Sequence, residues 1–171
     1  MRSLLDRIDN PLHLLIALAC TWLLASSPWL GLYHALPEVP GWINLSHVAL
    51  GLAVLPLGIV YFAGCTVGGR WRLYFPWMAG QVGTIGADIA GLCRGQRPGS
   101  EGDGLFAAIE GVLLLALLAA VFTGTLWFLN QGSDSAVAWR AHHIIAARGF
   151  GALMLLHVFA VTLHLVDLVR D

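Results

Sequence analysis

Four apolar runs, each long enough to cross a membrane, constrain the fold of this chain more than any other feature of its sequence. In a helix, about 20 apolar residues span the roughly 30 Å of hydrocarbon in a bilayer. The runs cover residues 11–32, 45–65, 105–129 and 141–169. Of all residues 11% are charged, against about 25% in soluble domains. We therefore predict an all-α fold, an integral membrane four-helix bundle in which residues 1–171 form a single domain.

The connection between the second and third runs is the longest of the three. It begins with a basic and aromatic stretch, residues 70–77, of a composition that suits the lipid headgroup layer. The apolar stretch that follows, as far as Leu92, contains Asp88 and several glycines. A fifth span there would place the arginines and the C-terminus on conflicting sides of the membrane. We therefore predict a long cytoplasmic loop that contains an interfacial helix or a re-entrant hairpin.

The arginines predict the topology. Seven of the nine basic residues flank the runs on one side, namely Arg2, Arg7, Arg70, Arg72, Arg94, Arg97 and Arg170. The positive-inside rule then places both termini of this multi-pass membrane protein in the cytoplasm. The net charge of −1 argues against nucleic acid as a partner.

The histidines fall at two depths of the predicted bundle. His143 and His157, both on the fourth run, are fourteen residues apart. Fourteen residues of helix rise roughly 21 Å and return to within about 40° of the starting direction, so one helix presents two imidazoles on one side. His13 opens the first run at its cytoplasmic end, and His47 opens the second run at its outer end. The helix directions therefore pair His47 with His143 and His13 with His157.

Paired histidines inside a membrane favour haem. Ionisable side chains in a bilayer are costly and usually functional. Haem iron takes axial nitrogen ligands from opposite sides, and a porphyrin fits between two helices. Small residues near these histidines would leave room for it, although they also occur wherever membrane helices pack closely. We predict two haem b groups, with His13 and His157 on the inner iron and His47 and His143 on the outer iron.

Neighbouring histidines leave both assignments on the fourth run open. His142 competes with His143, from which it lies about 100° round the helix, and His164 competes with His157. Arg148 follows His143 by five residues. It either pairs with a haem propionate, which we prefer, or snorkels towards an interface.

A quinone site is predicted at the cytoplasmic end of the bundle. Glu110 lies in the first turns of the third run and is either a solvated end residue or a proton acceptor beside a quinone. His164, near the end of the fourth run, is the second candidate for this site. His34, in the outer loop, is expected to be solvated or to serve a partner or quinone.

Segments in all four runs carry a family resemblance. They are residues 10–13 (NPLH), residues 46–51 (SHVALG), Thr123 with Gly124, and the run from His143 through His157 to His164. The pattern resembles the bacterial cytochrome b561-like superfamily of four-helix di-haem proteins, which includes cytochrome b subunits of nickel–iron hydrogenases and formate dehydrogenases. The resemblance implies haem ligation by His13, His47, His143 and His157. It also implies electron flow between a partner at the outer face and quinone in the membrane.

We therefore expect a di-haem b-type cytochrome that transfers electrons between a periplasmic redox protein or dehydrogenase subunit and the quinone pool. Haem would supply the redox chemistry. Two alternatives stay open. One is a stand-alone superoxide:quinone oxidoreductase, for which Arg140 and His34 would supply cationic groups at the outer face. The other is a haem-free membrane protein for assembly or proton handling. The sequence does not determine the oligomeric state.

Overall fold

The computed structural model describes residues 11–95 and 104–170, with side chains as far as Thr162. Arg2, Arg7 and Arg97, which support the predicted topology, lie outside the described residues. The polar loop of residues 96–103 also lies outside them.

Every regular element in the described part of the chain is a helix. The α-helices are α1 (Pro11–Ser26), α2 (Trp42–Thr66), α3 (Trp71–Tyr74), α4 (Val82–Cys93), α5 (Leu105–Leu129) and α6 (Asp134–Arg170). Short 3-10 turns follow α1 at Ser27–Trp29 and α2 at Val67–Gly69. The predicted all-α fold is confirmed.

Four helical segments are long and apolar enough to cross a membrane. They are Pro11–Trp29, Trp42–Gly69, Leu105–Leu129 and Asp134–Thr162. The fourth begins before the predicted start at residue 141, because the helix continues outwards into polar sequence. Its first turn contains Asp134, and a carboxylate is stabilised by the positive end of the helix dipole.

The α-helical part of the first span ends earlier than predicted, at Ser26. Pro28 lies in the following 3-10 turn and has no N–H to donate to the carbonyl of Leu24, as an α-helix would require. The hydroxyl of Ser27 donates to that carbonyl instead, at 2.8 Å. The last turn therefore closes through a side chain, and Ser26 takes the final α-helical position.

Between the second and third spans lie α3 and the apolar, 12-residue α4. A helix of that length is too short to cross the hydrocarbon. A short helix is thus present where the sequence predicts an interfacial helix or a re-entrant hairpin. Its depth in a membrane, and the cytoplasmic side of the loop, stay predictions.

The chain divides into two compact units. Unit 1 comprises the described residues of Met1–Phe62 and Leu117–Arg148, and unit 2 those of Ala63–Ala116 and Gly149–Asp171. In unit 1 a close approach joins α2 to α5, where a Cβ atom at Gly58 would lie 3.5 Å from Leu118 Cδ2. The buried side chains of this unit include Ile16, Cys20, Val54, Leu117, Val121 and Trp127.

In unit 2 the start of α5 is held by α4. The carboxylate of Asp88 accepts a hydrogen bond from the backbone N–H of Leu105 at 2.8 Å. The first N–H groups of a helix have no partner within the helix, so a carboxylate placed there stabilises the helix end. A Cβ atom at Gly104 would collide with that carboxylate. A side chain at position 104 would therefore force the Asp88 carboxylate to move.

Candidate bis-histidine site

Two imidazoles from different helices lie close together in unit 1. His47 lies on α2 and His143 on α6, and their ring centres are 6.5 Å apart with the ring planes at 82°. Both side chains are partly buried. These are the two histidines that the helix directions pair at the outer end.

The His143 ring is held by the backbone of α5. Its Nδ1 lies 2.9 Å from the carbonyl oxygen of Ala120. Because a carbonyl oxygen only accepts hydrogen bonds, Nδ1 carries the hydrogen in this neutral imidazole and Nε2 carries the lone pair. The hydrogen bond thus leaves Nε2 as the nitrogen available to a metal.

The His47 ring is held by the last residue of α1. Its Nδ1 lies 2.9 Å from Oγ of Ser26. A metal bound at Nε2 of His47 requires the tautomer with the hydrogen on Nδ1. In that tautomer Ser26 accepts from His47 and donates its own hydroxyl hydrogen to the carbonyl oxygen of Leu23 at 3.2 Å. Metal-binding histidines characteristically donate their second ring N–H to an acceptor in this way.

The spacing of the rings suits one metal ion between them. Two imidazoles that bind one ion from opposite sides, at about 2 Å per bond, have ring centres about 6 Å apart, close to the observed 6.5 Å. Within the described ranges, no three His, Cys, Asp or Glu side chains group as metal ligands. Two opposed imidazoles are the axial ligand set of a haem iron, whose other ligands belong to the porphyrin. The residues of this site therefore fit haem.

Gly124 gives the His143 ring its space. A Cβ atom at this position would lie 3.0 Å from both Cε1 and Nδ1 of His143. Gly124 follows Ala120 by one helical turn, so both lie on the same side of α5. The glycine of the Thr123–Gly124 pair therefore lies against an imidazole.

The structure distinguishes the two adjacent histidines of α6. His142 is exposed, and its ring lies 5.6 Å from the ring of Trp139 on the same helix. His143 points to Ala120 and His47 instead. Of the pair that the sequence leaves open, His143 is therefore the one placed opposite His47.

The other predicted ligands lie as follows. The ring of His13 stacks on that of Tyr61 at 5.7 Å and 22°, within unit 1. His157 is half-buried on α6 and belongs to unit 2. His164 also lies on α6, beyond the described side chains. The pairing of His13 with His157, and the choice between His157 and His164, stay predictions.

The remaining predicted residues do not join the bis-histidine pair. Arg148 is exposed on α6, five residues after His143. Its ion pair with a haem propionate stays a prediction. Glu110 is half-buried on α5 and lies in unit 2. His34 is exposed, with its ring edge-on to Tyr33 at 4.7 Å.

Arg140 links the loop between α1 and α2 to the start of α6. Its Nε donates to the carbonyl oxygen of Leu32 at 2.7 Å, and its guanidinium lies 5.4 Å from the ring centre of Tyr33. Trp127 reinforces the same loop by donating to the carbonyl of Tyr33 at 2.9 Å. Arg140 therefore also has a structural role, because it holds this loop against α6.

Two functional groups escaped the sequence. Ala120 acts through its backbone carbonyl, which no residue pattern reports. Ser26 is a polar residue within an apolar run, and this is the sequence feature that could have indicated a role near His47. The sequence does not give the rotation of α1 about its axis, so it does not predict that Ser26 points to His47.

The helices and the paired imidazoles define a helical membrane protein with a site suited to haem. The family model for prokaryotic cytochrome b561 matches residues 10–168, nearly the whole chain. The chain belongs to the prokaryotic cytochrome b561 family, and the resemblance seen in the sequence is confirmed. It is accordingly a membrane b-type cytochrome that binds haem b and transfers electrons. Searches among curated proteins and among solved structures gave no significant match.

Proposed function

We propose that this protein is a di-haem cytochrome that carries electrons across the bacterial inner membrane. It would connect a periplasmic redox protein or dehydrogenase subunit with the quinone pool. The observation that carries the proposal is the pair of neighbouring imidazoles of His47 and His143, each hydrogen-bonded through Nδ1, an arrangement that leaves Nε2 for a metal. Haem supplies one-electron redox chemistry when bound.

A second haem is supported by the geometry of α6. The helix runs from Asp134 to Arg170 as one element, so it includes both His143 and His157. On a continuous helix these two imidazoles share a side and differ in depth by roughly 21 Å. His157 is half-buried, as a residue facing other protein groups would be. We assign the inner haem to His157 and His13.

The other residues receive roles by position. Ser26 and the Ala120 carbonyl orient the two outer imidazoles. Arg148 would pair with a propionate of a haem, since a guanidinium binds carboxylates in a two-pronged fashion. Glu110 and His164 would serve a quinone near the cytoplasmic face, where both termini are placed.

Haem counting tests the proposal. The full chain, purified in detergent, should show a b-type reduced-minus-oxidised spectrum and about two haems per polypeptide, one for each histidine pair. Replacing any one of the four ligands by alanine should remove one haem. The double variant His47→Ala/His143→Ala should keep one haem, whereas His47→Ala/His157→Ala should keep none. This difference tests the pairing itself, because each double variant removes two histidines.

The same experiment has clear contrary outcomes. If His47→Ala/His143→Ala lost both haems while remaining helical by circular dichroism, the pairing would be wrong. If the unaltered, well-folded chain bound one haem, the di-haem proposal would fail. Electron transfer is tested separately in proteoliposomes, where a quinol added to the haem-loaded protein should reduce it, and the Glu110→Gln variant should slow that reduction.

A further inference from the structure

Ser26 is an unusual residue for its position. Its side chain is 3% exposed, and among the described residues it is the one polar side chain that is buried. It ends α1, next to the 3-10 turn that contains Pro28. Burying a hydroxyl in apolar surroundings is costly unless its hydrogen bonds are satisfied. Here both are satisfied, by the carbonyl of Leu23 as acceptor and by His47 as donor.

The two outer imidazoles are held by acceptors of different kinds. His143 donates to the carbonyl of Ala120, whose position is set by the backbone of α5. His47 donates to the side-chain oxygen of Ser26. A substitution at Ser26 therefore removes one of the two acceptors and leaves the backbone acceptor of the other ring in place. The hydrogen bond of His47 can therefore be removed while that of His143 is kept.

A hydrogen bond at Nδ1 has two consequences for a metal bound at Nε2. It fixes the rotation of the ring, here with the two planes at 82°. It also makes Nε2 more basic, which stabilises ferric over ferrous iron and lowers the reduction potential. Nearly perpendicular axial rings leave two d orbitals of low-spin ferric haem close in energy. This gives an electron paramagnetic resonance (EPR) signal with a large maximal g value.

We propose that Ser26 is a positioning residue for the outer haem. Its hydroxyl holds the His47 ring nearly perpendicular to the His143 ring and keeps the reduction potential of this haem low. The inference rests on the proposed function, since it concerns the haem that these two histidines would bind. Ser26 acts through His47 and is not itself a ligand.

The surroundings of Ser26 make the effect measurable. A groove of about 300 Å³, open on one side, adjoins it and is lined by Trp22, Ala25, Ser26, Trp29, Trp42 and Ile43. This lining is dominated by apolar and aromatic groups, so its side chains offer no ready acceptor to replace the hydroxyl lost in Ser26→Ala. The groove also offers space beside Ser26 for the extra methyl group of Ser26→Thr.

The test compares Ser26→Ala with a neighbouring control in the full-length, haem-loaded protein. Ser27 is exposed, and its hydroxyl donates to the carbonyl of Leu24. Redox titration and EPR of the oxidised protein are the readouts, and the outer-haem signal is the one that His143→Ala removes. Ser26→Ala should raise the potential of the outer haem and decrease its maximal g value. Ser26→Thr should restore both values, and Ser27→Ala should match the unaltered protein.

The outcomes separate this proposal from the one on which it rests. Unchanged outer-haem potential and g value in Ser26→Ala would overturn the role of Ser26 and leave the di-haem proposal intact. Loss of the outer haem in Ser26→Ala but not in Ser26→Thr would support the role, because the hydroxyl alone separates the variants. Loss in both would assign Ser26 to packing and overturn it. Absence of haem from the unaltered protein would overturn the proposed function, and this inference with it.

Discussion

The carbonyl oxygen of Ala120 lies 2.9 Å from Nδ1 of His143, and Gly124 one turn later leaves the imidazole the space to reach it. Helix α5 has no histidine, yet it contributes a backbone acceptor and a missing side chain to the site. Its role in the site is therefore one that substitutions can test without touching a ligand.

The variant Gly124→Ala should weaken the outer haem site. The added Cβ would lie 3.0 Å from two atoms of the His143 ring, so the ring must shift away from the Ala120 carbonyl. Overpacking of this kind costs about 1–3 kcal/mol, which corresponds to roughly 5- to 150-fold weaker binding. The measurement is outer-haem content after purification, with haem transfer to an apo-globin as a competition assay.

A matched control for this change is Gly58→Ala. Its Cβ would lie 3.5 Å from Leu118 Cδ2, an ordinary contact between α2 and α5. Haem content should then be unchanged. Equal haem retention in the Gly124→Ala and Gly58→Ala variants would contradict the predicted role of Gly124.

Alanine at position 143 should remove the outer haem, and alanine at position 142 should not. His143 faces His47, whereas His142 is exposed beside Trp139. The two variants delete the same side chain one residue apart, so each controls for the general effect of losing a histidine. Haem per polypeptide and the reduced spectrum decide the question. Haem loss in the His142→Ala variant alone would reverse the assignment.

The inner haem should depend on His157 and not on His164. From His143, His157 lies roughly 21 Å along the helix and about 40° round it, whereas His164 lies roughly 31 Å along it, the full thickness of the hydrocarbon. We expect His157→Ala to lose one haem and His164→Ala to keep two. If His164 serves quinone, its variant should reduce more slowly with quinol at full haem content. One haem lost on replacing His164, and none on replacing His157, would refute the inner assignment.

Replacing Asp88 by alanine should destabilise the start of α5. The carboxylate accepts from the N–H of Leu105 at 2.8 Å, and loss of such a capping interaction costs about 0.5–2 kcal/mol. Asp88→Asn keeps an acceptor without the charge and should cost less. Thermal unfolding in detergent, followed by circular dichroism, gives the comparison. Glu38→Ala, at an exposed loop position, is the control, and a Tm as low as that of Asp88→Ala would argue against a specific cap.

Arg140→Ala should loosen the loop between α1 and α2. The guanidinium is hydrogen-bonded to the Leu32 carbonyl and stacked over Tyr33, and a hydrogen bond from a charged group contributes about 1.5–3 kcal/mol. Arg140→Lys keeps a charge for the ring but loses the planar array of N–H donors, so it should rescue only part of the stability. Limited proteolysis of the loop and Tm are the measurements. The exposed Arg94→Ala variant should behave as the unaltered protein does.

The length of the apolar runs was enough to predict the helices, because a membrane accepts few other structures. The start of α6 was missed because Asp134 belongs to the helix without belonging to the apolar run. Helix direction also paired His47 with His143 in depth. The sequence does not predict how each helix is rotated about its own axis, because α1, α2 and α5 are apolar on every side.

Because these helices lack a distinct polar face, the sequence does not determine which of their side chains meet at the site. His142 and His143 differ by about 100° of rotation, and packing against α5, not residue type, selects between them. Ser26 becomes meaningful only when α1 is turned towards His47. Ala120 contributes an atom that every residue has. The roles of Arg148 and Glu110 depend on bound groups and stay predictions.

Helix α6 has 37 residues, or about 55 Å at 1.5 Å per residue. A bilayer offers roughly 30 Å of hydrocarbon, and even a tilt of about 40°, the upper end for membrane helices, would not accommodate such a rod. Part of α6 therefore projects beyond the hydrocarbon. A soluble protein that binds the projecting part would contact the same helix that bears His143 and His157.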